Sequence, residues 1–581
     1  MKKRIAVIHK DKCNPQGCGN YLCAKLCPVN RGGEDCIKEG DEHSNKAVID
    51  EILCTGCGIC PTRCPYGAIE IINLPAELEK EPVHRFDKNS FALYSLPTPV
   101  NGKITGLLGR NGMGKSTAFK ILGGLQKANL GNYEEPADLR KLFEYFKGTQ
   151  MLAHLERLEK GEVTLSYKPQ QVEFIPRQFD GKVKDLFKSE DAKELLAQLD
   201  IEHTWDRDVK HISGGELQRV AIAAATLKKA TLTLYDEPSS YLDIKQRINV
   251  SKFIREHSHE DTATMIIEHD LIILDYMTDV LNIMYGHPGV YGIVSGVKNV
   301  REGINSYLDG YLKEENTRIR TAPLKFEQSV DRVTAIPQPI MEWPELQFAV
   351  GDFNLSIHPG QLNKNEIIGI LGENGIGKST FVKMLAGEVE SDLDAQLNVA
   401  YKPQYLDYAN NDTLVAEFLS RAIEHYEASI VRPLHLDTLY GRQLNQLSGG
   451  ELQRVVIAKT LAENADLFLL DEPSAYLDVE QRIAIGKVIK RVAADRELTI
   501  MIVDHDLMFM DFLSDKIMVF EGTPGQHGEA TGPWVKQDGM NKFLENLSIT
   551  LRRDMHSHRP RINKQNSVKD REQRSANKWY Y

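Results

Sequence analysis

Short apolar runs, each followed by a glycine-rich or acidic stretch, dominate the hydrophobic pattern of this chain. The runs ITGLLG (104–109) and IIGILG (367–372) are apolar and β-prone, so they predict buried strands. Two further apolar runs, TLTLY (231–235) and DLFLL (466–470), end directly before acidic pairs and also predict strands. A helix is predicted directly after each glycine-rich stretch. The pattern indicates an α/β fold with buried strands.

These runs belong to an internal repeat that covers most of the chain. GRNGMGKST (109–117) returns as GENGIGKST (372–380), and ISGGELQRVAIA (212–223) returns as LSGGELQRVVIA (447–458). LYDEPSSYLD and IIEHD have equivalents, LLDEPSAYLD and IVDHD, in the same order. The repeat predicts two homologous domains that follow one another.

The two copies differ by one insertion. Lys115 and Lys378 are 263 residues apart, whereas Gln170 and Gln404 are 234 apart. The first copy therefore contains 29 additional residues, the difference between these spacings, near 131–160. LRKLFEYF and MLAHLERLEK in this stretch have apolar residues at helical spacing with a glycine between them, which predicts a helix–loop–helix. It is either an ordinary surface elaboration or a docking element.

Composition and charge narrow the function. The chain has 581 residues, of which 41% are hydrophobic and 26% charged, and its net charge is −11. No apolar run approaches the about 20 residues that cross a bilayer, and no apolar segment typical of a secretion signal follows the basic start. We therefore expect a soluble, cytoplasmic protein without membrane contact. The negative charge argues against a general nucleic-acid binder.

The end of the chain is locally basic. Residues 551–581 include nine Lys/Arg and three Asp/Glu. This segment could contact phosphate or form a solvated end, and charge alone favours the solvated end.

All nine cysteines lie between Cys13 and Cys64. A disulfide scaffold does not suit a chain of this size with an odd cysteine count, so metal binding is the better interpretation. Two groups of four end in Cys-Pro, and their spacings are Cys13-x4-Cys18-x4-Cys23-x3-Cys27 and Cys54-x2-Cys57-x2-Cys60-x3-Cys64. The second spacing is that of bacterial ferredoxins with [4Fe–4S] clusters.

Two clusters are predicted from this resemblance. In two-cluster ferredoxins the fourth cysteine of each run ligates the other cluster. The predicted ligand sets are Cys54, Cys57, Cys60 and Cys27 for one cluster, and Cys13, Cys18, Cys23 and Cys64 for the other. Cys36 is left over and is not a predicted ligand. A zinc module is the alternative, which the looser first group leaves open for one of the two sites.

Each copy of the repeat contains Gly-x4-Gly-Lys-Ser, the phosphate-binding P-loop. Backbone N–H groups and the N terminus of the following helix hold the phosphates. Lys115 and Lys378 begin these helices and are predicted to reach the β- and γ-phosphates, while Ser116 and Ser379 offer hydroxyls to Mg²⁺. The other predicted nucleotide contacts in the loops are Gly109, Asn111, Gly112, Gly114 and Thr117, and Gly372, Asn374, Gly375, Gly377 and Thr380.

An acidic pair follows the next strand in each copy. Asp236 and Asp471 stand where a Walker-B carboxylate holds Mg²⁺. Glu237 and Glu472 follow directly, and a carboxylate at that position orients or deprotonates the attacking water. A structural salt bridge is the alternative role, which the position beside the Mg²⁺ carboxylate disfavours.

The SGGELQR stretches resemble the signature of ATP-binding-cassette (ABC) ATPases. Other positions match the same family: a Q-loop glutamine, also a Mg²⁺ ligand (Gln170, Gln404), a D-loop aspartate (Asp243, Asp478) and a switch histidine (His269, His505). A lone histidine is more often structural. These two follow β-rich segments, 32 and 33 residues after Glu237 and Glu472, which favours a catalytic role.

In the ABC family two cassettes meet head to tail, and each ATP lies between one P-loop and the other cassette's signature. The resemblance implies that the first P-loop works with Ser448, Gly449 and Gly450, and the second with Ser213, Gly214 and Gly215. Both sites have every key residue. Phe86 is a candidate to stack on adenine, and an ordinary packed aromatic is the alternative.

An eight-cysteine ferredoxin-like module before twin cassettes resembles the ABC-E subfamily, the ribosome-recycling ATPases first named RNase L inhibitors. EPVHRF (81–86), GYLKEENTRIR (310–320) and LRRDMHSHRPRINK (551–564) extend the resemblance to nearly the whole chain, although Ile212 replaces the more usual Leu. The implied fold is α/β, with two tandem ABC nucleotide-binding domains and an N-terminal α+β ferredoxin-like iron–sulfur domain. The predicted parts are 1–75 (iron–sulfur domain), 76–305 (first cassette, with the insertion at about 131–160), 306–335 (hinge), 336–545 (second cassette) and 546–581 (C-terminal hinge segment and basic tail).

The resemblance also implies a function. An ATP-driven machine of this kind splits post-termination or stalled ribosomes with a release-factor-like or Pelota-like partner, contacts rRNA of the small subunit and can link to initiation factors. Its cofactors are ATP, Mg²⁺ and two [4Fe–4S] clusters, and it works as a monomer with an intramolecular cassette dimer. ATP binding closes the cassettes and swings the iron–sulfur domain, and hydrolysis resets it.

Two other functions remain as alternatives. One is an ATP-coupled iron–sulfur electron-transfer protein, but the sequence has no flavin site or second redox cofactor. The other is a cassette ATPase of DNA repair or chromosome structure, but the long heptad insertions typical of that class are missing.

Overall fold

A small N-terminal module precedes two large sheets in the computed structural model, which describes residues 4–10, 12–40, 45–51, 53–73, 81–187, 189–326, 338–389 and 397–581. Two antiparallel strand pairs, β1 with β4 and β2 with β3, frame the module. Its core is small and consists largely of cysteines, alanines and isoleucines. Its elements are β1 (Arg4–Ile8), α1 (Leu22–Leu26), α2 (Pro28–Arg31), β2 (Ile37–Lys38), β3 (Val48–Ile49), α3 (Ile59–Arg63) and β4 (Ile69–Asn73).

The first cassette is a nine-stranded mixed sheet with helices packed on it. The strand order is β5-β6-β12-β11-β7-β10-β9-β8, with β13 paired to β11. Its strands are β5 (His84–Arg85), β6 (Ala92–Leu93), β7 (Ile104–Gly109), β8 (Leu165–Lys168), β9 (Leu232–Asp236), β10 (Ala263–Ile267), β11 (Val280–His287), β12 (Tyr291–Val294) and β13 (Lys298–Asn299). Its helices are α4 (Lys115–Leu122), α5 (Leu139–Tyr145), α6 (Gln150–Glu159), α7 (Ile175–Gln178), α8 (Asp191–Gln198), α9 (Gly214–Leu227), α10 (Ile244–Glu256), α11 (Leu271–Met277) and α12 (Val300–Asp309).

A hairpin of β14 (Tyr311–Leu312) and β15 (Thr317–Arg318) leads toward the second cassette. That cassette has an eight-stranded sheet in the order β17-β18-β25-β24-β20-β23-β22-β21, and β16 pairs separately with β19. Its strands are β16 (Pro339–Trp343), β17 (Leu346–Val350), β18 (Phe353–Ile357), β19 (Gly360–Asn363), β20 (Ile367–Leu371), β21 (Val399–Lys402), β22 (Leu467–Asp471), β23 (Thr499–Val503), β24 (Lys516–Thr523) and β25 (His527–Val535). Its helices are α13 (Lys378–Leu385), α14 (Val415–Phe418), α15 (Ser420–Tyr426), α16 (Gly449–Ala462), α17 (Val479–Arg496), α18 (Leu507–Leu513) and α19 (Lys536–Asn546).

Parallel strands form the centre of both sheets, in equivalent order: β11-β7-β10-β9-β8 and β24-β20-β23-β22-β21. All residues of β7 and β20 are buried, as expected for strands covered on both faces. The carboxyl ends of parallel strands meet at one edge of a sheet, where ligands of α/β folds bind. The P-loops and the acidic pairs follow at this edge.

The stretch predicted as a helix–loop–helix consists of α5 and α6 with Gly148 between them at φ +79°. Leu142, Phe146, Met151 and Leu155 join the apolar core on the same side of the first sheet as α4. The insertion is therefore packed on the first cassette.

The C-terminal segment folds back along the cassettes. Its elements are β26 (Leu551–Arg553), β27 (Pro560–Ile562) and α20 (Val568–Ser575). One buried apolar cluster runs through both cassettes and includes Leu551, Ile562 and Tyr580. The expectation that this basic segment is a solvated end is therefore wrong, because buried apolar side chains near its start, middle and end anchor it to the cassettes.

Two of the four predicted domain boundaries fall within described residues, and the other two do not. Those at 75/76 and 335/336 lie outside the described residues. Those at 305/306 and 545/546 lie within α12 and α19. In the part of the chain that the structure describes, none of the helices has both the length and the apolar character needed to span a membrane.

Candidate nucleotide sites and cysteine clusters

Each P-loop leads into its helix through a glycine in the left-handed backbone conformation, which only a residue without Cβ adopts readily. Gly114 has φ +87° and Gly377 has φ +95°, directly before α4 and α13. Lys115 Nζ donates to the carbonyls of Gly109 and Arg110, each at 2.8 Å, so its ammonium lies within the loop. Lys378 Nζ donates likewise to the carbonyls of its own loop, at 2.9 Å for Gly372. The remaining predicted contacts, Asn111, Gly112, Ser116, Thr117, Asn374, Gly375, Ser379 and Thr380, lie in these loops and the first helical turns.

The Walker-B carboxylates close β9 and β22 beside the P-loops. Asp236 and Asp471 are each 1% exposed, and the side chains of Ser116 and Ser379 lie beside them. Burial, followed by the charge of the adjacent glutamate, raises the pKa of Asp471 to about 6. Asp236 Oδ1 and both Asp471 oxygens are buried without a hydrogen-bond partner among the described residues. A site of buried, unpaired carboxylate oxygens beside serine hydroxyls fits a hard divalent cation such as Mg²⁺.

In each cassette the Q-loop glutamine and the switch histidine contact the same oxygen of the catalytic glutamate. Gln170 Nε2 donates to Glu237 Oε1 at 2.9 Å, and His269 Nε2 lies 3.3 Å from the same oxygen. Burial alone would raise the pKa of Glu237, but His269 and the charge of Lys115 lower it to about 2. Glu237 is therefore ionised at neutral pH, as a group that orients water must be.

The second cassette repeats this arrangement. Gln404 Nε2 donates to Glu472 Oε1 at 2.7 Å, and His505 Nε2 lies 3.5 Å from that oxygen. Against the effect of burial, His505 and Lys378 lower the pKa of Glu472 to about 2. The Q-loop, Walker-B and switch positions thus come together in both copies.

The cassettes face each other head to tail. Asn111 N donates to Asp478 Oδ2 at 3.1 Å, and the equivalent Asn374 N donates to Asp243 Oδ2 at 2.8 Å. Each D-loop aspartate also caps the helix that follows it. Each P-loop therefore contacts the D-loop of the other cassette.

Ion pairs flank these contacts at equivalent positions. Lys245 Nζ lies 2.9 Å from Glu373 Oε1, and Arg110 Nε lies 3.4 Å from Glu480 Oε2. Residues 110 and 373 occupy equivalent positions in the repeat, as do residues 245 and 480. At both positions the first cassette has a basic residue and the second cassette an acidic one.

The signature motifs begin long helices. Ser213 and Ser448 cap α9 and α16, and each forms a reciprocal capping box with the glutamate three residues on. The free N–H groups of a helix start favour anions. The predicted glycines Gly214, Gly215, Gly449 and Gly450 occupy these first turns, and a Cβ on Gly450 would lie 3.0 Å from the carbonyl of Tyr476 in the D-loop. Signature and D-loop thus pack backbone to backbone.

The adenine candidate is less defined. Phe86 is 48% exposed and meets His84 edge to face. Phe91, which the sequence argument did not single out, lies under the P-loop, where a Cβ on Gly114 would meet its ring at 2.6 Å. The stacking role of Phe86 stays a prediction.

Sequence reasoning missed four buried polar side chains beneath the acidic pairs. Lys168 and Gln218 lie in the first cassette, and Lys402 and Gln453 are their equivalents in the second. The signal was present, because YKPQ at 167–170 and 401–404 repeats as faithfully as the Q-loop glutamine it contains.

The N-terminal module brings the cysteines into the two predicted groups. Cys23 is a charge neighbour of Cys13, Cys18 and Cys64, and burial with these thiols raises its pKa to about 11. Cys27, Cys54, Cys57 and Cys60 line one cavity, together with Cys36. Cys36 is 1% exposed and lies beside the thiols of Cys27 and Cys54, a position that the spacing did not reveal.

Two of the cysteine sulfurs accept hydrogen bonds from the backbone. Ala6 N donates to Cys54 Sγ and Ala68 N to Cys64 Sγ, each at 3.4 Å, as cluster thiolates accept backbone hydrogen bonds. Among the described residues, no set of three or more His, Cys, Asp or Glu side chains is close enough to bind a single ion. Five thiols around one cavity fit a multi-iron group. Cluster number and type stay predictions.

Comparison with known proteins gives matches to both parts of the chain. The ABC transporter family matches residues 98–240 and 355–475, and a possible Fer4-like domain in RNase L inhibitor matches 4–35. Translation initiation factor RLI1 of Saccharomyces cerevisiae is 42% identical over 100% of this chain and 98% of its own length. An uncharacterized ABC transporter ATP-binding protein of Methanocaldococcus jannaschii is 44% identical over 100% of this chain and 97% of its own. A solved structure of ribosome-bound archaeal Pelota and ABCE1 matches with a TM-score of 0.92, 47% identity, and coverage of 100% of this chain and 99% of that one.

These matches confirm the predicted fold class of two tandem ABC cassettes behind a ferredoxin-like N-terminal domain. They also confirm that the chain is an ATPase of the ABC type.

Proposed function

The chain belongs to the RNase L inhibitor (ABCE1) family of twin-cassette ATPases, and we propose that it splits post-termination or stalled ribosomes into subunits. Its partner in this reaction is a release-factor-like or Pelota-like protein. The observation that carries the proposal is the full-length likeness to an ABCE1 that is bound to the ribosome with Pelota. Because a relative is named a translation initiation factor, the proposal extends to a stay on the small subunit, with shape and phosphate contacts to its rRNA.

ATP supplies the force through the head-to-tail interface. Lys115 and Lys378 bind the phosphates. The Walker-B aspartates and the P-loop serines would hold Mg²⁺, which would supply positive charge against the phosphates. Glu237 and Glu472 orient the attacking water, positioned by their glutamine and histidine neighbours. Each signature helix points its N–H groups at the other cassette's ATP, so closure depends on nucleotide. Hydrolysis removes the γ-phosphate and releases the closed state.

The N-terminal module transmits this movement to the ribosome. It is docked on the first cassette: Glu70 contacts His287 Nε2 at 3.0 Å, and Glu51 accepts from Arg85 Nη1 at 2.9 Å. It also reaches the second cassette, where a Cβ on Gly441 would lie 3.7 Å from the ring of Tyr66. A module that touches both cassettes must move when they close. Two [4Fe–4S] clusters in the cysteine groups would stiffen it into a lever, since its own core is small.

A ribosome-splitting assay tests the proposal. The iron-loaded full chain is incubated with post-termination ribosomes, a Pelota-like or release-factor partner and ATP, and subunits are separated on a sucrose gradient. We expect splitting that needs both the partner and ATP, and that falls to background with the Glu237→Gln/Glu472→Gln variant. If intact ribosomes persist with the unmodified protein at the level of that variant, the recycling function is wrong.

A further inference from the structure

Two lysines without an assigned role lie directly beneath the catalytic candidates. Lys168 ends β8 and Lys402 ends β21, and they are 1% and 0% exposed. Lys168 Nζ donates to the carbonyls of Asp236 at 2.8 Å and Glu237 at 3.1 Å. Lys402 Nζ donates to the carbonyls of Asp471 at 2.6 Å and Glu472 at 3.2 Å. Both ammonium groups are therefore occupied by the backbone of the acidic pair.

The backbone at this point is unusual in both copies. Glu237 and Glu472 each have φ +48°, in the left-handed region that side-chain-bearing residues rarely occupy. The same turn receives a second donor, because Gln218 Nε2 and Gln453 Nε2 each donate to the glutamate carbonyl at 2.7 Å. A buried carbonyl needs its donors, so these side chains hold the turn in a conformation it would otherwise leave.

We propose that Lys168 and Lys402 are positioning residues for ATP hydrolysis, which fix the left-handed turn and thereby aim the Glu237 and Glu472 carboxylates at the attacking water. This inference rests on the water-orienting role proposed for the two glutamates. Neither lysine lies in a P-loop, and the lysines that donate within the P-loops are Lys115 and Lys378. Loss of Lys168 and Lys402 therefore affects the chemical step and leaves ATP binding intact.

The test uses the iron-loaded full chain and ATPase kinetics without ribosomes. The Lys168→Met/Lys402→Met variant is compared with Glu237→Gln/Glu472→Gln and with the combination of all four changes. Nucleotide affinity is measured separately with a fluorescent ATP analogue. Lys228→Met, at an exposed site, is the matched control.

We expect kcat of the double-methionine variant to fall about 10- to 100-fold, the size of effect that a misplaced catalytic group produces, with KM and analogue affinity within about threefold. The four-change variant should hydrolyse ATP within about twofold of the glutamine variant, because the lysines act through the glutamates. A merely structural role would instead add its loss to that of the glutamine changes and weaken nucleotide binding.

Other results separate the inference from the function it rests on. Wild-type kcat in a folded double-methionine variant, or a parallel loss of kcat and affinity, overturns the role of the lysines. Full activity of the glutamine variant overturns the role of the glutamates. If the methionine variant does not fold, Gln218→Leu/Gln453→Leu removes the second donor to the same carbonyls, and the same kcat loss at constant affinity is expected. An unchanged kcat there also overturns the proposal.

Discussion

The C-terminal segment is fastened to the first cassette by a buried carboxylate, and removal of that carboxylate should release it. Asp275 on α11 accepts from Arg559 Nη1 at 2.9 Å and from Arg561 Nε at 2.5 Å. The side chain of Arg559 is 0% exposed, and Arg561 has a second carboxylate, Asp554, at 3.4 Å. Asp275→Ala therefore leaves Arg559 as a buried cation without an ion-pair partner among the described residues.

The expected cost follows from that burial. Removal of one partner from a buried ion pair costs about 3–5 kcal/mol, because the remaining charge stays desolvated. Hydrogen exchange measures the effect where it arises, in the backbone amides of β26 and β27. In the variant these amides should exchange between about a hundred and a few thousand times faster, since each 1.4 kcal/mol is a factor of about ten.

Two further variants calibrate this result. Asp309→Ala removes an exposed contact of 2.9 Å to His556, also in the C-terminal segment, and should accelerate amide exchange less than about fivefold. Asp275→Leu/Arg559→Met replaces the pair by apolar side chains and should recover most of the protection. Exchange in Asp275→Ala that rises less than about tenfold would refute the reasoning, because Arg559 would then have found solvent or another partner.

Three other predictions follow from described contacts. Burial would raise the pKa of Asp554, but hydrogen-bond donors from Ser557, His556 and Arg301 lower it below its usual range. The carboxylate therefore stabilises the fold above its unfolded-state pKa of about 4, and this contribution is lost as the pH falls below that value. In urea titrations, Asp554→Asn should lower the free energy of unfolding by its full amount above about pH 5 and by progressively less below about pH 4. Cys54→Ser should lose about four of eight irons and part of the absorbance near ~400 nm, whereas Cys36→Ser should retain all eight; equal iron in both variants contradicts the ligand assignment. Asp243→Ala/Asp478→Ala removes both contacts from D-loop to P-loop and two helix caps, so ATP-dependent closure followed by fluorescence energy transfer should weaken and ATPase activity should fall; unchanged closure shows that these contacts are incidental.

Much of the architecture could be predicted from the sequence because its signals are local. The strands before the P-loops are continuous apolar runs, and the repeat fixes equivalent positions in both cassettes. Glycines at the helix starts, such as Gly114, mark turns that other residues adopt only with strain. The grouping of the cysteines was predicted from the resemblance of their spacing to two-cluster ferredoxins, in which the fourth cysteine of each run ligates the other cluster.

The rest depends on contacts between residues distant in the sequence. Lys168 is 68 residues from the carbonyl of Asp236 that it binds, and Arg559 is 284 residues from Asp275. A count of charges predicts that a basic segment is solvated, because the count does not reveal carboxylates on another domain that pair with its arginines. Cys36 shows the same limit, since its position beside Cys54 depends on how β2 and β3 fold back.

The opposed ion pairs across the interface carry information about which cassette may face which. Within one chain, Arg110 meets Glu480 and Lys245 meets Glu373. Two first cassettes from different chains would set Arg110 against Lys245 at both ends of the seam, and two second cassettes would set Glu373 against Glu480. Either pairing of like cassettes would therefore place two pairs of like charges at the interface and be disfavoured, although the motifs around them are nearly identical. These four side chains thus favour pairing of a first cassette with a second cassette over pairing of two like cassettes.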